Sequence, residues 1–566
     1  MPLKMPLPIG IESYKKLIDN QYYYVDKTLM IKELLDRGGA ANLFTRPRRF
    51  GKTLTLSMIR TFFEVETDIY GNVTDNRRYF EDRKIMEAGE EYTRHMGKYP
   101  VIFLSLKSAK QPDFETAYES IKGEIKKEFL RHRYILQGAQ FTDGEIEQYN
   151  MLMNGKADRA LYAGSLVFLS DCLKAYHGKN TIILLDEYDV PLENAHFEGF
   201  YDRMVSFIRS LFESALKTND SLEFAVITGC LRISRESIFT GLNNLKVLSI
   251  MSNTYSEYFG FTEQEVLKML EYYDILGKEA EVKKWYDGYV FGETEVYNPW
   301  SIINYVECAV EKFNAIPKPY WSNTSSNSII RELIESADSE VKNEIEELIA
   351  GGTIEKPVHE DITYEDIHKT KDNLWNFLFF TGYLKAAGQR FETDTLYLTM
   401  KIPNAEVRYI YRNTILEWFN QKLTVTDLTP LYNAIIEGNC EEFGNLVTDQ
   451  LVETISFYDY AENYYHGFLA GLLKGCKGYI TISNRESGNG RPDIIMRTAS
   501  IRGIAIIIEI KVVKDFDDME KGCKAALQQI EDMNYQESLY KEGYRKFKKY
   551  GVCFYRKECM AISCED

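Results

Sequence analysis

The amino-acid sequence predicts an α/β protein, and three patterns carry this prediction. A strand-length apolar run, Ala41–Thr45, leads into a Gly-Lys-Thr turn and a helical stretch. A second apolar run, Thr181–Leu185, ends in two acidic residues. Near the C-terminus, a Pro-Asp turn and a strand ending in Glu-Ile-Lys are separated by the length of a hairpin. Strands that alternate with helical stretches are typical of a parallel sheet flanked by helices.

The length and composition set the number and type of domains. A chain of 566 residues is too long for one core and predicts roughly three to four domains. We place the boundaries at residues 1–255, 256–430 and 431–566. With 45% hydrophobic and 27% charged residues, the composition is that of a soluble globular protein. We find no signal peptide, and the longest apolar runs are too short to span a membrane, so we expect a cytoplasmic protein without membrane contacts.

Cysteine, histidine and net charge exclude several classes of function. Nine scattered cysteines without a CxxC pair, and seven scattered histidines, argue against a disulfide framework and a zinc site. The net charge of −17 argues against general coating by nucleic acid, so any such contact needs a local basic patch. The segment Lys541–Lys557 is basic, and we expect it to be the solvent-exposed face of a helix.

The first predicted site is a phosphate-binding loop after the run Ala41–Thr45. The loop ends in Gly-Lys-Thr and is followed by helical periodicity over Leu54–Glu64. In this context backbone N–H groups wrap the phosphates, Lys52 reaches the β and γ groups, and the Thr53 hydroxyl ligates Mg²⁺. One position departs from the GxxxxGK[ST] pattern, because Arg46 replaces the first glycine. We predict that ATP is bound by Arg49, Phe50, Gly51, Lys52, Thr53 and Leu54, with Asp186.

The acidic end of the run Thr181–Leu185 supplies the second part of this site. Asp186 stands where P-loop enzymes hold the Mg²⁺ shell, and Glu187 is placed to orient or deprotonate the attacking water. Taken alone, an apolar strand that ends in Asp-Glu indicates a strand terminus and no particular site. Located roughly 130 residues after Gly-Lys-Thr, it forms a strong pair with that motif.

Two further strands, Val101–Leu106 and Glu223–Thr228, complete the predicted sheet. A strand inserted between the phosphate-loop strand and the Asp-Glu strand marks the additional-strand, Glu-bearing branch of P-loop NTPases, which is AAA-like. Thr228 ends the last strand, where a polar side chain can sense the γ-phosphate. Arg232 and Arg235 follow, as charge-neutralising residues or as ordinary surface arginines.

The middle of the chain predicts a helical lid and a connector. The segment Thr262–Val310 is mainly helical, with turns at Asp287-Gly288 and Asn298-Pro299. The segment Ser322–Gly388 has helical periodicity and precedes a short strand, Leu396–Met400, as in a winged-helix unit. Because nothing basic stands out there, we expect a connector rather than a DNA-binding unit. Four aromatic residues are expected in its core: Trp375, Phe377, Phe379 and Phe380.

The C-terminal third carries a second constellation of charged residues. Asp493 begins one strand, and the next strand ends in Glu509-Ile510-Lys511. Antiparallel pairing brings Asp493 and Glu509 together, and strand alternation places Glu509 and Lys511 on one face. The two carboxylates and the Ile510 carbonyl can hold one or two Mg²⁺ ions, or Mn²⁺, for attack on a phosphodiester. Lys511 would stabilise the charge of the transition state; an ion pair at a strand end is the alternative.

Three side chains outside these strands complete the predicted second site. Glu462, in the helix Tyr460–Leu473, is a candidate third carboxylate for the metal. Gln529, in the helix Cys523–Asn534, and Tyr535 beyond it are placed where they can contact metal-bound water or substrate.

Five sequence runs together resemble a known bacterial family: TRPRRFGKT (Thr45–Thr53), LLDEYDVP (Leu184–Pro191), SIFTGLNN (Ser237–Asn244), WYDGY (Trp285–Tyr289) and YNPWS (Tyr297–Ser301). The family joins an AAA-ATPase-like domain to a C-terminal PD-(D/E)XK nuclease-superfamily domain with a restriction-endonuclease-like α/β fold. The resemblance covers nearly the whole chain, and the family also has Arg at the position of Arg46. The resemblance therefore indicates the architecture and the chemistry of the two domains, and it indicates less about their biological role.

These residues predict a function in which ATP acts at one site and nucleic acid at another. ATP binding or hydrolysis would control metal-dependent cleavage of DNA or RNA by the C-terminal domain. The alternative is an ATP-dependent signalling or scaffold protein whose nuclease-like domain binds but does not cut. A helicase-type motor is less favoured, because we find no second RecA-like half. An oligomer is possible.

Overall fold

The chain forms two compact units in a computed structural model. The structure describes residues 4–68, 72–138, 141–232, 238–239, 243–312, 314–321, 339–360, 370–425, 427–453, 462–483 and 492–565. The first unit takes in residues 1–326 and 355–407, and the second takes in 327–354 and 408–566. The boundary at residue 407 falls within the helix Ala405–Val425.

A five-stranded parallel sheet forms the centre of the first unit. Its strands are β1 (Ala41–Thr45), β4 (Val101–Ser105), β5 (Thr181–Asp186), β6 (Leu222–Gly229) and β7 (Leu245–Leu248), while β2 (Glu66–Thr67) and β3 (Val73–Thr74) pair separately. The order is β4-β5-β6-β1-β7, and all neighbours are parallel. Strands β1 and β5 are buried along their whole length, as in parallel sheets covered on both faces. Because β6 separates β1 from β5, the predicted additional-strand arrangement is confirmed.

Helices precede the first strand of this sheet and connect the later strands. They are Tyr14–Asp19, Leu29–Arg37, Lys52–Phe63, Lys84–Glu87, Glu90–Thr93, Phe114–Arg131, Asp143–Met153, Arg159–Ala163, Ser165–His177, Val190–Phe197 and Tyr201–Leu216. The helix Phe114–Arg131 shows how local chemistry sets a boundary. The Asp113 side chain accepts a hydrogen bond from the Thr116 N–H, which satisfies a donor left over at the helix start. Short stretches of 3-10 helix occur at Arg77–Tyr79, Lys107–Ala109, Arg133–Gln137 and Leu276–Lys278.

Two smaller groups of elements complete the first unit. The helices Glu263–Tyr272, Glu279–Tyr286 and Pro299–Glu311 share one apolar core beside the hairpin β8 (Tyr289–Phe291) and β9 (Thr294–Val296). The strand β10 (Ile354–Pro357), the helix Lys371–Phe380 and the strands β11 (Lys385–Glu392) and β12 (Thr395–Lys401) follow, with sheet order β10-β12-β11. A strand, a helix and a hairpin in this sequence resemble a winged-helix unit. The four aromatic residues predicted in its core are all buried.

The second unit contains a mixed five-stranded sheet. Its strands are β13 (Tyr479–Ser483), β14 (Ile494–Thr498), β15 (Ile504–Val512), β16 (Lys546–Tyr555) and β17 (Glu558–Glu565), in that order, with β15 and β16 parallel and the other pairs antiparallel. Its helices are Ser339–Ala350, Thr429–Glu437, Cys440–Glu453, Glu462–Leu473, Met519–Asp532 and Gln536–Lys541, with one 3-10 turn at Phe516–Asp518. The central strand β15 buries alternate residues in two separate apolar clusters, as strand periodicity requires.

The basic segment Lys541–Lys557 does not form an exposed helix face, and that prediction is wrong. Most of it is the strand β16, which lies between β15 and β17. Lys548 and Lys549 are 7% and 1% exposed. The ammonium of Lys548 donates to the carbonyl of Ile436 at 2.9 Å, and that of Lys549 pairs with Glu531 at 2.6 Å. The long aliphatic stem of a lysine in a buried strand allows its ammonium group to reach a polar partner.

Candidate active sites

A phosphate-binding loop connects β1 to the helix Lys52–Phe63. Gly51 precedes the helix with φ = 81°, a left-handed conformation that glycine adopts without strain. The first N–H groups of a helix have no partner within it, and the positive end of the helix dipole favours an anion there. The Lys52 ammonium donates to the carbonyls of Arg46 and Pro47, both at 3.0 Å. Its charge therefore lies inside the loop.

Arg46, which departs from the loop pattern, is buried beneath the loop. Its guanidinium donates to the carbonyls of Leu248 at 2.7 Å and Thr45 at 2.9 Å. It also lies 5.2 Å and 5.0 Å from the ring centres of Phe259 and Phe291, within cation–π distance. Burial lowers the pKa of Arg46 to about 9. An arginine is accommodated at this position because its side chain belongs to the core.

Three hydroxyl groups surround the carboxylate at the end of β5. One oxygen of Asp186 accepts from the Thr53 hydroxyl at 2.9 Å, and the other accepts from the Thr228 hydroxyl at 2.9 Å. The Ser105 hydroxyl lies 3.4 Å from the first of these oxygens. Burial raises the pKa of Asp186, the charge of Glu187 raises it further, and the two threonine hydrogen bonds oppose the rise. The C-terminal ends of β4, β5 and β6 thus meet the start of the loop helix.

A short turn after β5 is bonded to the end of β6. Glu187 has φ = 50°, which is uncommon for residues other than glycine and is frequent at functional sites. The buried Asp189 carboxylate accepts from the N–H groups of Cys230 at 2.7 Å and Leu231 at 3.1 Å. Burial raises the pKa of Asp189 to about 6. A Cβ at Gly229 would lie 2.8 Å from an Asp189 oxygen, so this close approach requires glycine.

A pocket of about 360 Å³ opens beside these groups. Its polar lining includes Glu12, Arg48, Arg49, Gly51, Lys52, Thr53, Lys107, Lys110 and Glu187. Its apolar and aromatic lining includes Ile11, Tyr23, Val25, Phe50, Leu54, Phe261, Met269 and Trp300. A nucleoside triphosphate has a charged end and an apolar base, and a pocket with both kinds of lining suits it.

The sequence Asn-Pro-Trp-Ser starts the helix Pro299–Glu311 beside this pocket. The Asn298 side chain accepts from the N–H groups of Trp300 at 2.9 Å and Ser301 at 3.2 Å, which caps the helix. The Arg49 guanidinium lies 4.6 Å from the ring centre of Trp300. The cap therefore fixes an aromatic residue that contacts the phosphate loop.

In the second unit, β14 and β15 bring the predicted acids together. The Asp493 N–H donates to a carboxylate oxygen of Glu509 at 3.4 Å, and the Ile510 N–H donates to the Asp493 carboxylate at 2.8 Å. The Lys511 ammonium lies 3.7 Å from the other oxygen of Glu509. Glu509 is 2% exposed, so an acidic group is held at the end of a buried strand. Such burial is costly without a partner, and here the backbone and Lys511 provide partners.

A histidine supports the backbone at Asp493. The Nε2 atom of His466 lies 2.8 Å from the Asp493 carbonyl oxygen and 2.9 Å from the Ser483 hydroxyl. Because a carbonyl only accepts, this nitrogen carries the hydrogen. His466 belongs to the helix Glu462–Leu473; the side chain of Glu462 itself lies outside the described residues.

Gln529 contacts Tyr535, whose phenol lies near the two acids, and the role of both residues toward metal-bound water or substrate stays a prediction. The Gln529 amide donates to the Tyr535 hydroxyl at 3.4 Å. Burial raises the pKa of Tyr535, and the charges of Glu509 and Asp493 raise it further. The phenol therefore lies within electrostatic range of both carboxylates.

Two features are absent from the described residues. In that part of the chain, no three His, Cys, Asp or Glu side chains are close enough together to enclose a metal ion. None of the helices described there combines the length and apolar character needed to cross a membrane.

Two family models match the chain. Residues 8–239 match the model described as a predicted AAA-ATPase, and residues 460–564 match the PD-(D/E)XK nuclease superfamily. The protein joins an AAA-ATPase-like domain to a PD-(D/E)XK nuclease-superfamily domain. The predicted fusion is confirmed, and so is the predicted α/β fold class of both domains.

Individual relatives add little about the function. An uncharacterized protein in the vnfD 5′ region of Azotobacter chroococcum is 25% identical over 551 residues, which are 95% of this chain and 94% of that protein. A solved Walker-type ATPase of Pyrococcus abyssi matches with a TM-score of 0.37 and 13% identity, over 72% of this chain and 98% of its own.

The predicted site residues of each domain lie together where the structure describes them. In the ATPase-like domain, the hydroxyl of Thr53 contacts Asp186, and Glu187 lines the same pocket as the loop. Arg235 falls outside the described residues, and Arg232 lies 3.5 Å from Glu360. The roles of all these residues in binding and catalysis stay predictions.

Sequence reasoning missed two residues that hold the sites in place. Asp189 bonds the turn after β5 to the end of β6, and His466 bonds the backbone of Asp493. A signal existed for each residue. Asp189 follows Asp186 by three positions, directly beyond the strand. His466 follows Glu462 by four positions and therefore shares its helix face.

Proposed function

We propose that the AAA-ATPase-like domain binds and hydrolyses ATP, and that its nucleotide state controls a metal-dependent nuclease in the C-terminal domain. The Asp186 carboxylate carries the first part of this proposal. It is held by the hydroxyls of Thr53 and Thr228 at 2.9 Å each, beside a pocket lined by Lys52. This combination of loop lysine, hydroxyl and strand-end acid is what nucleotide hydrolysis needs.

Each residue of the first site has a separate role in ATP hydrolysis. The loop N–H groups and Lys52 bind the phosphates. Thr53 and Asp186 offer the oxygen ligands that Mg²⁺ prefers, and a Mg²⁺ ion held there would neutralise phosphate charge. Glu187 takes a proton from water as the water oxygen bonds to the γ-phosphorus. The bond from the γ-phosphorus to the bridging oxygen breaks, and its electron pair stays on ADP.

The second site is proposed to hydrolyse phosphodiester bonds of DNA or RNA. Carboxylate and carbonyl oxygens of Asp493, Glu509 and Ile510 suit Mg²⁺ or Mn²⁺, with Glu462 as the third proposed carboxylate; such an ion supplies Lewis acidity and lowers the pKa of bound water. Lys511 lies on the Glu509 side of the site and would stabilise the charge that develops on the phosphate. The water oxygen bonds to phosphorus and gives up a proton to the solvent, while the bond from phosphorus to the sugar oxygen breaks. The sugar oxygen leaves with that electron pair and takes up a proton, so the products are a phosphate end and a hydroxyl end.

Control of one site by the other is supported by their presence on a single chain. The net charge of −17 also suits a nuclease that is restrained until its substrate and nucleotide are present, because an acidic protein repels nucleic acid outside a local binding surface. Nucleotide binding would alter the conformation of the ATPase-like domain and thereby the cutting rate.

A cleavage assay tests the proposal. Wild type and Asp493→Ala are incubated with plasmid DNA, single-stranded DNA and RNA, with Mg²⁺ or Mn²⁺, in the presence and absence of ATP. We expect metal-dependent cutting by wild type and none by Asp493→Ala. Asp517→Ala, which removes an exposed acid of the same domain, serves as the matched control and should cut normally. Absence of cutting on every substrate and nucleotide would refute the nuclease activity.

A second candidate is an ATP-dependent signalling or scaffold protein whose nuclease-like domain binds without cutting. It is favoured by one observation: the Lys511 ammonium lies 3.7 Å from Glu509, and such an ion pair can serve the end of a strand without any catalytic role. Under this alternative Asp493→Ala leaves the biological effect of the protein intact. Under the nuclease proposal the same substitution abolishes it.

A further inference from the structure

Two lysines follow the end of β4, next to the acidic end of β5. Strands β4 and β5 are parallel neighbours, and the Leu106 N–H donates to the Asp186 carbonyl at 3.0 Å. This hydrogen bond holds the turn Lys107–Ala109 beside the strand end that carries Asp186. Lys107 begins the turn and Lys110 follows it. The backbone therefore places both lysines at the same edge of the sheet as the proposed Mg²⁺ ligands.

Both lysines line the nucleotide pocket together with Lys52 and Glu187. Lys107 forms a close ion pair with Glu12, and Glu12 lines the pocket as well. The Lys107 side chain is 47% exposed, so its ammonium can leave Glu12 without a large desolvation cost. Lys110 is also exposed, and it forms no ion pair within the described residues.

Two arginines of the phosphate loop, Arg48 and Arg49, line the pocket but already have partners. Arg48 pairs with Glu193, and the guanidinium of Arg49 lies over the ring of Trp300. P-loop enzymes stabilise the charge on the transferred phosphoryl group with a further cation, which comes either from the same chain or from a neighbouring subunit. The two lysines after β4 are cations of this chain that face the pocket from a second strand.

We propose that Lys107, assisted by Lys110, is the same-chain cation that stabilises the transition state of ATP hydrolysis. This inference rests on the proposed ATPase function. Glu12 holds the Lys107 ammonium at the pocket, and the γ-phosphate replaces Glu12 as its partner when charge builds up on the phosphate oxygens. Lys110 adds a second positive charge. The chain then needs no arginine from a second subunit for hydrolysis.

The test compares ATP binding with single-turnover hydrolysis for Lys107→Met, Lys110→Met and the double variant. We expect Lys107→Met to hydrolyse ATP about 10²-fold more slowly, with nearly unchanged affinity, because the lost interaction forms in the transition state. Lys107→Arg should restore much of the rate. Lys127→Met removes an exposed lysine outside the pocket and should hydrolyse ATP normally. An unchanged rate for Lys107→Met and the double variant would overturn the inference.

A mixing experiment separates a same-chain cation from one supplied by a neighbour. Lys52→Ala protein, which cannot bind the phosphates, retains an intact Lys107. If Lys107 acts on its own chain, adding Lys52→Ala protein to Lys107→Met protein leaves the rate low. Recovery of the rate on mixing would show that the lysine acts across subunits and would contradict the proposal.

Failure of this inference is distinguishable from failure of the proposed ATPase. Wild type without ATP hydrolysis, or with a rate equal to that of Lys52→Ala, refutes the ATPase function itself. Wild type with a clear rate that Lys52→Ala lacks, together with an unaffected Lys107→Met variant, refutes only the role of the lysine. Circular dichroism of each variant confirms that the fold is retained.

Discussion

Replacement of Asp189 by Asn should change the pH dependence of stability in the ATPase-like domain. The buried carboxylate accepts two backbone N–H groups at the end of β6, and burial raises its pKa from 3.8 to about 6. The folded protein therefore binds the proton more tightly than the unfolded chain does between these two values. Stability falls as the pH rises from about 4 to about 6, and ionised Asp189 remains a cost above that range.

The magnitude follows from the difference between the two pKa values. A rise of about two units makes ionised Asp189 cost roughly 3 kcal/mol at pH 8, and roughly 1.5 kcal/mol at pH 5. Asparagine keeps an acceptor oxygen for the N–H groups and cannot ionise. Between pH 5 and pH 8, the free energy of unfolding of Asp189→Asn should therefore gain about 1.5 kcal/mol relative to wild type.

Urea unfolding at pH 5 and pH 8 measures this difference. The transition of the ATPase-like domain is identified by its shift to higher urea when ATP is added. Asp113→Asn is the matched control, because the N–H of Thr116 lowers the pKa of Asp113 and its titration lies below this pH range. A pH-independent difference between Asp189→Asn and wild type would refute the reasoning.

Three further substitutions test the two sites. Thr228→Val removes a hydrogen bond to Asp186 and should lower ATP turnover by about 10-fold or more, with little loss of ATP affinity in a titration. Gly51→Ala meets no neighbouring atom but forces alanine to φ = 81°, so unfolding should show a loss of about 1 kcal/mol and weaker ATP binding. His466→Ala releases the Asp493 carbonyl and should slow nucleic-acid cleavage by about 10- to 100-fold, while ATP hydrolysis is unaffected.

The parts of the fold that sequence predicted are those with short-range signals. The apolar run before Gly-Lys-Thr, and the run ending in Asp186-Glu187, became the buried strands β1 and β5. The spacing of Asp493 and Glu509 fitted an antiparallel pair, and the structure pairs their strands in that way. In each case, strand length, a turn residue and side-chain alternation acted on the same few positions.

What sequence could not predict depended on packing between distant segments. Lysines in the segment Lys541–Lys557 suggested an exposed helix, yet Lys548 and Lys549 are buried in a strand because their ammonium groups reach Ile436 and Glu531. From the sequence, Arg46 was a departure from the phosphate-loop pattern, because it replaces the first glycine. Its position over two phenyl rings, contributed from more than 200 residues downstream, is invisible to local patterns.

The most direct test of the central claim is the cleavage rate with and without ATP, measured for wild type, Glu187→Gln and Asp493→Asn. Glu187→Gln should bind ATP without hydrolysing it and so hold the ATP-bound state. We predict that ATP changes the cleavage rate of wild type, that Glu187→Gln keeps the ATP-bound rate, and that Asp493→Asn does not cut. Equal rates with and without ATP in both wild type and Glu187→Gln would contradict nucleotide control, and cutting by Asp493→Asn would contradict the assigned nuclease site.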